Sequence, residues 1–290
     1  IESRLANYGR GREPNFIRVS KTNVNNFGLF NYYKQTLGSY KFKTPNEYES
    51  GYIMTRYLKK NYGDSIYNKI INKTFGQSLF PFPFVRSLKK ETSLNIKKLY
   101  KKSFSELIDK DTTQTSKTNP LNFRNSKIYK NYLYPKKYKN NELLVLIKGL
   151  KSILHFATIN NSGVIKKLFT PGLILDQGFI AYSKNFLGWI EYHKDPRWGN
   201  RTYSNIKIFD IERKRFIIKT KKSYYSSIDI SADGTSFVAL ENLSDGKSRL
   251  VFQNIISKQK TDSIALNKGA YSYVKFSDEK NKILAIKTLN

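Results

Sequence analysis

The sequence predicts an α+β chain in two parts, helices over residues 1–109 and short antiparallel strands over 142–290, on three observations. The first is a hairpin pattern. Ile228 and Ile230 alternate with polar neighbours, Asp233-Gly234 fits a two-residue turn with positive φ, and Phe237-Val238-Ala239-Leu240 continues as a buried strand. The second is its recurrence. Moved on by 46 positions without a gap, Ser272, Val274, Phe276, Ser277, Ile283, Leu284, Ala285 and Ile286 fall on Ser226, Ile228, Ile230, Ser231 and Phe237 to Leu240, a period that predicts the blades of a β-propeller. Two such hairpins also suit a two-sheet sandwich. The third is the capped, helix-periodic stretch from Thr44 to about Asp109.

A further copy of the hairpin is expected upstream, with Leu175-Asp-Gln-Gly-Phe179-Ile-Ala-Tyr182 placing a Gly before an apolar strand that ends like Phe237 to Leu240. Its offset is 58, the same period lengthened by 12. The excess matches an inserted loop, His193-Lys-Asp-Pro-Arg-Trp-Gly-Asn-Arg-Thr202, between two strand-like runs. With roughly three to four blades, residues 142–290 would form an incomplete propeller.

In the first part, Phe27, Leu29, Phe30, Tyr32 and Tyr33 suggest core packing. Thr44-Pro45-Asn46-Glu47 fits a capping box with Pro at the first helical position. The helix that follows, to Tyr62 and the stop at Gly63, has Tyr48, Gly51, Tyr52, Thr55, Leu58 and Tyr62 as its expected inner face. Asp64 is the expected cap of a helix ending at Gly76, a short helix follows Pro83, and Ser93 is the expected cap of a longer one carrying Ile96, Leu99, Tyr100, Phe104, Leu107 and Ile108. From 110 to 141 the chain turns polar and aperiodic, which predicts a linker. Strands are expected at Glu142–Gly149, Ile153–Ile159, Val164–Phe169 and onward.

Composition bounds the function. The 290 residues include 39% hydrophobic ones, enough for a core, and no apolar run nears the roughly 20 residues of a membrane span. The start, Ile1-Glu-Ser-Arg, has neither Met nor a signal core, which predicts a missing N-terminal part and leaves localisation unread. The net charge is +30, but Lys is spread along the chain and accompanied by Asn, Ile, Tyr and Phe, as in AT-rich coding sequence. Charge alone therefore makes a poor case for nucleic acid. There is no cysteine and only His155 and His193, with no His-Glu-x-x-His, so no cofactor or metal is expected in this chain. His155, between Leu154 and Phe156, suits a packed strand histidine, and His193 a loop residue. Trp198, Arg197 and Arg201 in the inserted loop are the candidate partner-binding residues, because Trp and Arg dominate contact sites. Trp189 suits a strand core.

Gly9-Arg-Gly-Arg-Glu-Pro14, Tyr48-Glu-Ser-Gly-Tyr52, Tyr57-Leu58, Tyr62-Gly63, Lys98-Leu-Tyr100 and Asp195-Pro-Arg-Trp-Gly-Asn-Arg-Thr-Tyr-Ser204 together resemble bacterial envelope proteins that join a gluzincin-like metallopeptidase domain to a TolB-like propeller. The resemblance covers nearly the whole chain. It implies that residues 1–109 are the C-terminal helical part of the peptidase domain, that its zinc ligands precede Ile1, and that the intact parent binds zinc. It also implies that Tyr48, in Tyr48-Glu49-Ser50-Gly51, is the catalytic tyrosine that donates to the oxyanion, against the alternative that Tyr48 belongs to the buried stripe. A Ser231-Ala-Asp-Gly234 turn resembles the Ser-Pro-Asp-Gly of TolB-like blades, while Ser277-Asp-Glu-Lys280 departs from it.

Three functions follow. The first is part of a metallopeptidase-like protein whose propeller binds peptides or proteins in the bacterial envelope. The second is a non-catalytic propeller scaffold for protein partners. The third is a basic nucleic-acid binder, marked by a steep loss of affinity with salt.

Overall fold

The computed structural model describes residues 9, 11, 13–77, 79–108, 128–174, 180–243, 245–266, 269–277, 279 and 282–288. Among these the chain divides into two compact units, the first ending at Tyr129 and the second beginning at Lys130. The expected linker overlaps the second unit: residues 130–137 form a strand paired with the next one, and 109–127 lie outside the described residues.

The first unit is helical: α1 (Pro14–Phe27), α2 (Tyr32–Leu37), α3 (Glu47–Tyr62), α4 (Ile66–Phe75), α5 (Pro83–Thr92) and α6 (Ile96–Ser105). Helix α1 lay outside the expected elements, although Pro14 stands in its first turn. Two caps differ from expectation for one reason. Asn is at least as good an N-cap as Ser or Thr, and Asn46 and Asn95 each stand two residues beyond the expected Thr44 and Ser93. Asn46 accepts from the Glu49 amide at 2.8 Å, and Glu49 accepts from the Asn46 amide at 3.1 Å, a reciprocal capping box. Asn95 accepts from the Lys98 amide, while Ser93 ends α5 with φ 57°. Ser65, not Asp64, is the N-cap of α4, and Gly76 closes it in ordinary right-handed geometry.

The inner face of α3 is also rotated from the expected one. Leu58 is buried as expected and Ile53 is buried as well, Tyr48 and Gly51 face outward, and Tyr62 is partly exposed with its hydroxyl donating to the Thr92 carbonyl of α5 at 3.2 Å. Leu58 joins Ile66, Ile70, Leu88, Leu94 and Leu99 in one cluster, and Ile53 joins Val24, Tyr100 and Phe104 in another. The Tyr100 hydroxyl donates to the Phe30 carbonyl at 2.9 Å, and burial pushes its pKa up to about 12. Phe27 and Tyr33, expected in the core, are exposed, and Phe27 instead meets Phe42 edge to face at the surface.

The second unit is all β: β1 (Lys130–Lys137), β2 (Leu143–Gly149), β3 (His155–Ile159), β4 (Ile165–Phe169), β5 (Ile180–Ser183), β6 (Phe186–Lys194), β7 (Thr202–Asp210), β8 (Arg215–Lys219), β9 (Tyr225–Ile230), β10 (Ser236–Asn242), β11 (Ser248–Asn254), β12 (Lys260–Ala265), β13 (Ala270–Phe276) and β14 (Ile283–Thr288). They form three antiparallel four-stranded meanders, β1–β4, β5–β8 and β9–β12, and a hairpin, β13–β14.

The expected repeat is present in the strand pairing. Phe237 opposes Ile230, Ala239 opposes Ile228 and Glu241 opposes Tyr225, with Ser226 bulged out. The second hairpin sets Ile283 against Phe276, Ala285 against Val274 and Lys287 against Tyr271, with Ser272 bulged out. The two match down to the bulge.

The sheets stack as successive blades. Phe237 and Ala239 of β10 pack with Ile190, Ile206 and Ile208 of the second sheet, while Val238 and Leu240 pack with Val274 of the fourth. Successive residues of a strand point to opposite faces, so the run Phe237 to Leu240 is apolar because both faces are covered. Burying such side chains contributes about 1.5–3 kcal/mol each. A sheet covered on both sides by neighbouring sheets excludes the two-sheet sandwich. The unit is propeller-like on this geometry. Side chains also tie blade to blade, since the Val274 amide donates to Ser227 Oγ at 3.1 Å and the Phe276 amide to Asp229 Oδ2 at 2.9 Å.

Two expectations about turns need correcting. The Asp233-Gly234 connection runs over 231–235 and only Gly234 is left-handed (φ 72°), the pattern of a longer turn closed by one glycine. Asp233 instead caps the turn, accepting from the Ser231 and Thr235 hydroxyls and the Thr235 amide, which holds its pKa down to about 2. The upstream copy is displaced: Ile180–Ser183 is the first strand of its hairpin, and Phe186 to Trp189 occupy the second. Residues 175–179 lie outside the described residues.

Candidate partner-binding loop and axial cavity

Strands β6 and β7 pair at nine successive positions, from Phe186 opposite Asp210 to Lys194 opposite Thr202. The inserted loop is the tip of this hairpin, residues 195–201, closed by the Asp195 amide donating to the Arg201 carbonyl at 2.9 Å. Asp195 organises it. Its Oδ1 accepts from the amides of Arg197 (2.8 Å) and Trp198 (3.0 Å), and its Oδ2 accepts from the Tyr203 hydroxyl (2.8 Å). The Tyr203 hydrogen bond, then those two amides, hold the Asp195 carboxyl below its usual range. The Tyr203 ring packs against Tyr224 with centroids 5.6 Å apart.

With its carboxylate turned inward, the loop presents Trp198 (59% exposed), Arg197 and Arg201 outward. The Arg197 guanidinium lies 5.5 Å from the Trp198 ring centroid. The three residues expected to act together are therefore on one ordered loop. Trp189 is fully buried, with Leu187 and Phe209, as its strand pattern implied.

Beneath the loop is a carboxylate that the sequence reading missed. Trp189, Glu191 and His193 share one face of β6, and Glu191 is buried. Its Oε2 accepts from Trp189 Nε1 (3.2 Å) and the Gly172 amide (3.0 Å), and its Oε1 lies 2.9 Å from His193 Nε2 and 4.0 Å from Lys207 Nζ. His193 is thus a strand residue beside a carboxylate, not a loop residue. A Cβ at position 172 would stand 2.6 Å from Glu191 Cδ, so any larger residue there would have to displace this carboxylate. An acidic residue at the inward position of a strand was the available signal. His155 starts β3, with Nδ1 donating to the Ile153 carbonyl at 2.7 Å.

The first strands of all four sheets meet at a cavity of about 270 Å³, lined by Tyr134 and Lys136 of β1, Ile180 of β5, Ile228 and Asp229 of β9, and Tyr273 and Lys275 of β13. Burial raises the Asp229 carboxyl above its usual range, and the Phe276 amide and Lys275 offset part of that. Tyr134 is left-handed (φ 52°) at the register break of β1. No stretch of sequence contains this cavity.

Tyr48 is in the first turn of α3 and 63% exposed, which removes the buried-stripe alternative. Glu49, the acidic residue of the same pattern, is engaged in the helix cap. Arg10 and Arg12 lie outside the described residues. Among the described residues, no group of three or more His, Cys, Asp or Glu is placed to hold a metal ion, and no helix is long and apolar enough to cross a membrane.

No family model matches the chain, and no curated protein matches it. Among solved structures, it is similar to a puromycin hydrolase (10% identity, TM-score 0.34), covering 47% of this chain and 20% of that one. A puromycin-hydrolyzing peptidase of Mycobacterium tuberculosis gives 14% identity and a TM-score of 0.35 over 49% of this chain and 21% of that one. The Dos1 propeller gives 14% identity and a TM-score of 0.35 over 51% of this chain and 39% of that one. The match spans about a fifth of each of the two hydrolases. At these TM-scores the propeller-like fold rests on the sheets themselves.

Proposed function

We propose that the blades over 130–290 are part of a larger propeller that binds a peptide or protein, with the Asp195-held loop as contact element. The observation that carries this reading is the outward presentation of Trp198 between Arg197 and Arg201 on a loop whose own carboxylate is used internally. A Trp flanked by two exposed Arg, of which Arg201 also interacts with Tyr203 and Asp195 of the same hairpin, suits an acidic segment with an apolar residue to cover the indole. The test is to select peptides from a random library on the intact chain. Binders rich in Asp and Glu, weakened at least about tenfold by Trp198→Ala and by Arg201→Ala, are the expected result. Binders indifferent to both changes would end this reading.

The resemblance carries the reading further, to a bacterial envelope protein whose parent has a gluzincin-like peptidase domain, with residues 1–109 as its C-terminal helical part. The described residues offer no ligand set for the zinc this implies, so no step is built on it. Tyr48 is the residue the resemblance assigns to catalysis, and its exposure supports access to a peptide. In the intact parent, Tyr48→Phe should lower peptide hydrolysis on the order of a hundredfold with binding little altered. Unchanged turnover would remove Tyr48 from the mechanism, and an intact parent without any peptide hydrolysis would leave the second reading, a non-catalytic propeller scaffold.

A further inference from the structure

The turn between α4 and α5 displays large apolar side chains in a way that core packing does not explain. Leu79 is 96% exposed, Phe82 78% and Phe75 73%, with Phe80 also exposed. These four lie within eight residues, and the chain between them is held outward. The Phe80 amide donates to the Gln77 carbonyl at 3.0 Å, and the Arg86 amide to the Phe82 carbonyl at 3.2 Å. Pro81 and Pro83 fix φ on either side of Phe82, which is itself left-handed (φ 55°). A bulky residue in that conformation marks a constraint that the local sequence alone does not favour. Phe84, two residues on, packs against the Leu58–Leu99 core and anchors the turn.

Cations collar this tip. Arg86, Lys89 and Lys90 lie at helical spacing on one side of α5 and line, with Gln77 and Phe80, a groove of about 540 Å³. The Arg86 guanidinium stands 5.4 Å from the Phe80 ring centroid. Among the described residues none of the three pairs with a carboxylate, whereas Lys73 is neutralised by Glu91 at 2.6 Å.

We infer that this turn docks on an acidic phospholipid surface, with Leu79 and Phe82 entering the acyl boundary and Arg86, Lys89 and Lys90 meeting the headgroups. An apolar tip one helical turn from unpaired cations is what such a surface selects, because long basic side chains lie along apolar surface while their charges reach the phosphates. A nucleic-acid backbone would use the cations but leave the exposed Leu79 and Phe82 without a role.

The chain has no cysteine, so Leu79→Cys carries a single environment-sensitive fluorophore. Mixed phosphatidylcholine and phosphatidylglycerol vesicles should shift its emission to the blue and allow quenching by lipids brominated in the acyl chain. The same label on exposed Lys247→Cys should stay in water. Because a chain of charge +30 adsorbs to any anionic vesicle, co-sedimentation is read at physiological salt, where Leu79→Ser with Phe82→Ser should weaken binding at least about tenfold. Adsorption with the position-79 label still in water would overturn the inference, as would equal insertion into phosphatidylcholine alone. So would a double variant that binds as well as the parent chain, which would mark adsorption by charge or a protein ligand for the turn. Both substitutions are at the surface, and an unchanged circular dichroism spectrum checks the fold.

Discussion

The Tyr203 hydroxyl donates to Oδ2 of Asp195 across 2.8 Å while the other oxygen of that carboxylate holds two backbone amides, so a residue at the base of the hairpin sets the shape of its tip. Tyr203→Phe should loosen the loop without unfolding the blade. Amide exchange at Arg197 and Trp198 should quicken about fivefold, as for loss of one hydrogen bond, and Asp195→Ala should quicken it further. The folded Asp195 carboxyl lies below its usual value, so its contribution is complete above the ordinary carboxylate range and is lost as pH falls through the folded value. Unaltered exchange in Tyr203→Phe would mean that the loop is ordered by other contacts.

Glu191 makes a similar prediction in the interior. Removing it by Glu191→Ala strands Trp189 Nε1, the Gly172 amide and the partly buried Lys207, and should cost about 3 kcal/mol in denaturant unfolding. Gly172→Ala should cost about 1–3 kcal/mol by overpacking against the same side chain. If both variants unfold like the parent chain, the carboxylate does not anchor the segment before β5.

Asp229 has the opposite sign. Its folded pKa is raised by burial, so between the usual and the raised value the folded chain keeps a proton that the unfolded chain gives up. That contribution is present at low pH and is lost as pH rises through the folded value. Asp229→Asn retains an oxygen for the Phe276 amide and removes the buried charge. It should be more stable than the parent at pH ~7 and little different at pH ~3, below the usual carboxylate range. Lower stability of Asp229→Asn at neutral pH would show that Lys136 and Lys275 need the charge more than burial opposes it.

Helix α3 offers a direct comparison of two candidate caps. Asn46→Ala should lower the stability of the helical unit by about 1 kcal/mol, while Thr44→Ala should change it by a few tenths or less. A larger loss in Thr44→Ala than in Asn46→Ala would return the cap to Thr44.

The capping example shows where the sequence was readable. Thr44-x-x-Glu47 and Asn46-x-x-Glu49 both satisfy the same pattern, so the existence of the helix and its end at Tyr62 were legible while its first residue was not. The hairpins 46 residues apart were legible because both carry the same apolar run and the same bulge, although only β10 is buried on both faces while Leu284 and Ile286 of β14 are exposed. The same property hid the order of strands in the second sheet, since an apolar run of four suits either strand of a hairpin. That Arg197, Trp198 and Arg201 share one exposed loop was legible because they are near neighbours in the chain. The axial cavity was not, because its lining comes from four strands between Tyr134 and Lys275 and only the stacking of blades brings them together. Glu191 sits between, visible as an acid in an apolar strand but with partners that only the fold supplies.

The central claim is that the Asp195-held loop is the contact element, and an amide-shift titration of the isotopically labelled intact chain with a selected acidic peptide tests it most directly. Saturable shifts at Arg197, Trp198, Arg201 and Tyr203, lost in Trp198→Ala, are the predicted result. Shifts confined to the axial cavity or to the turn between α4 and α5, with the loop silent, would contradict it.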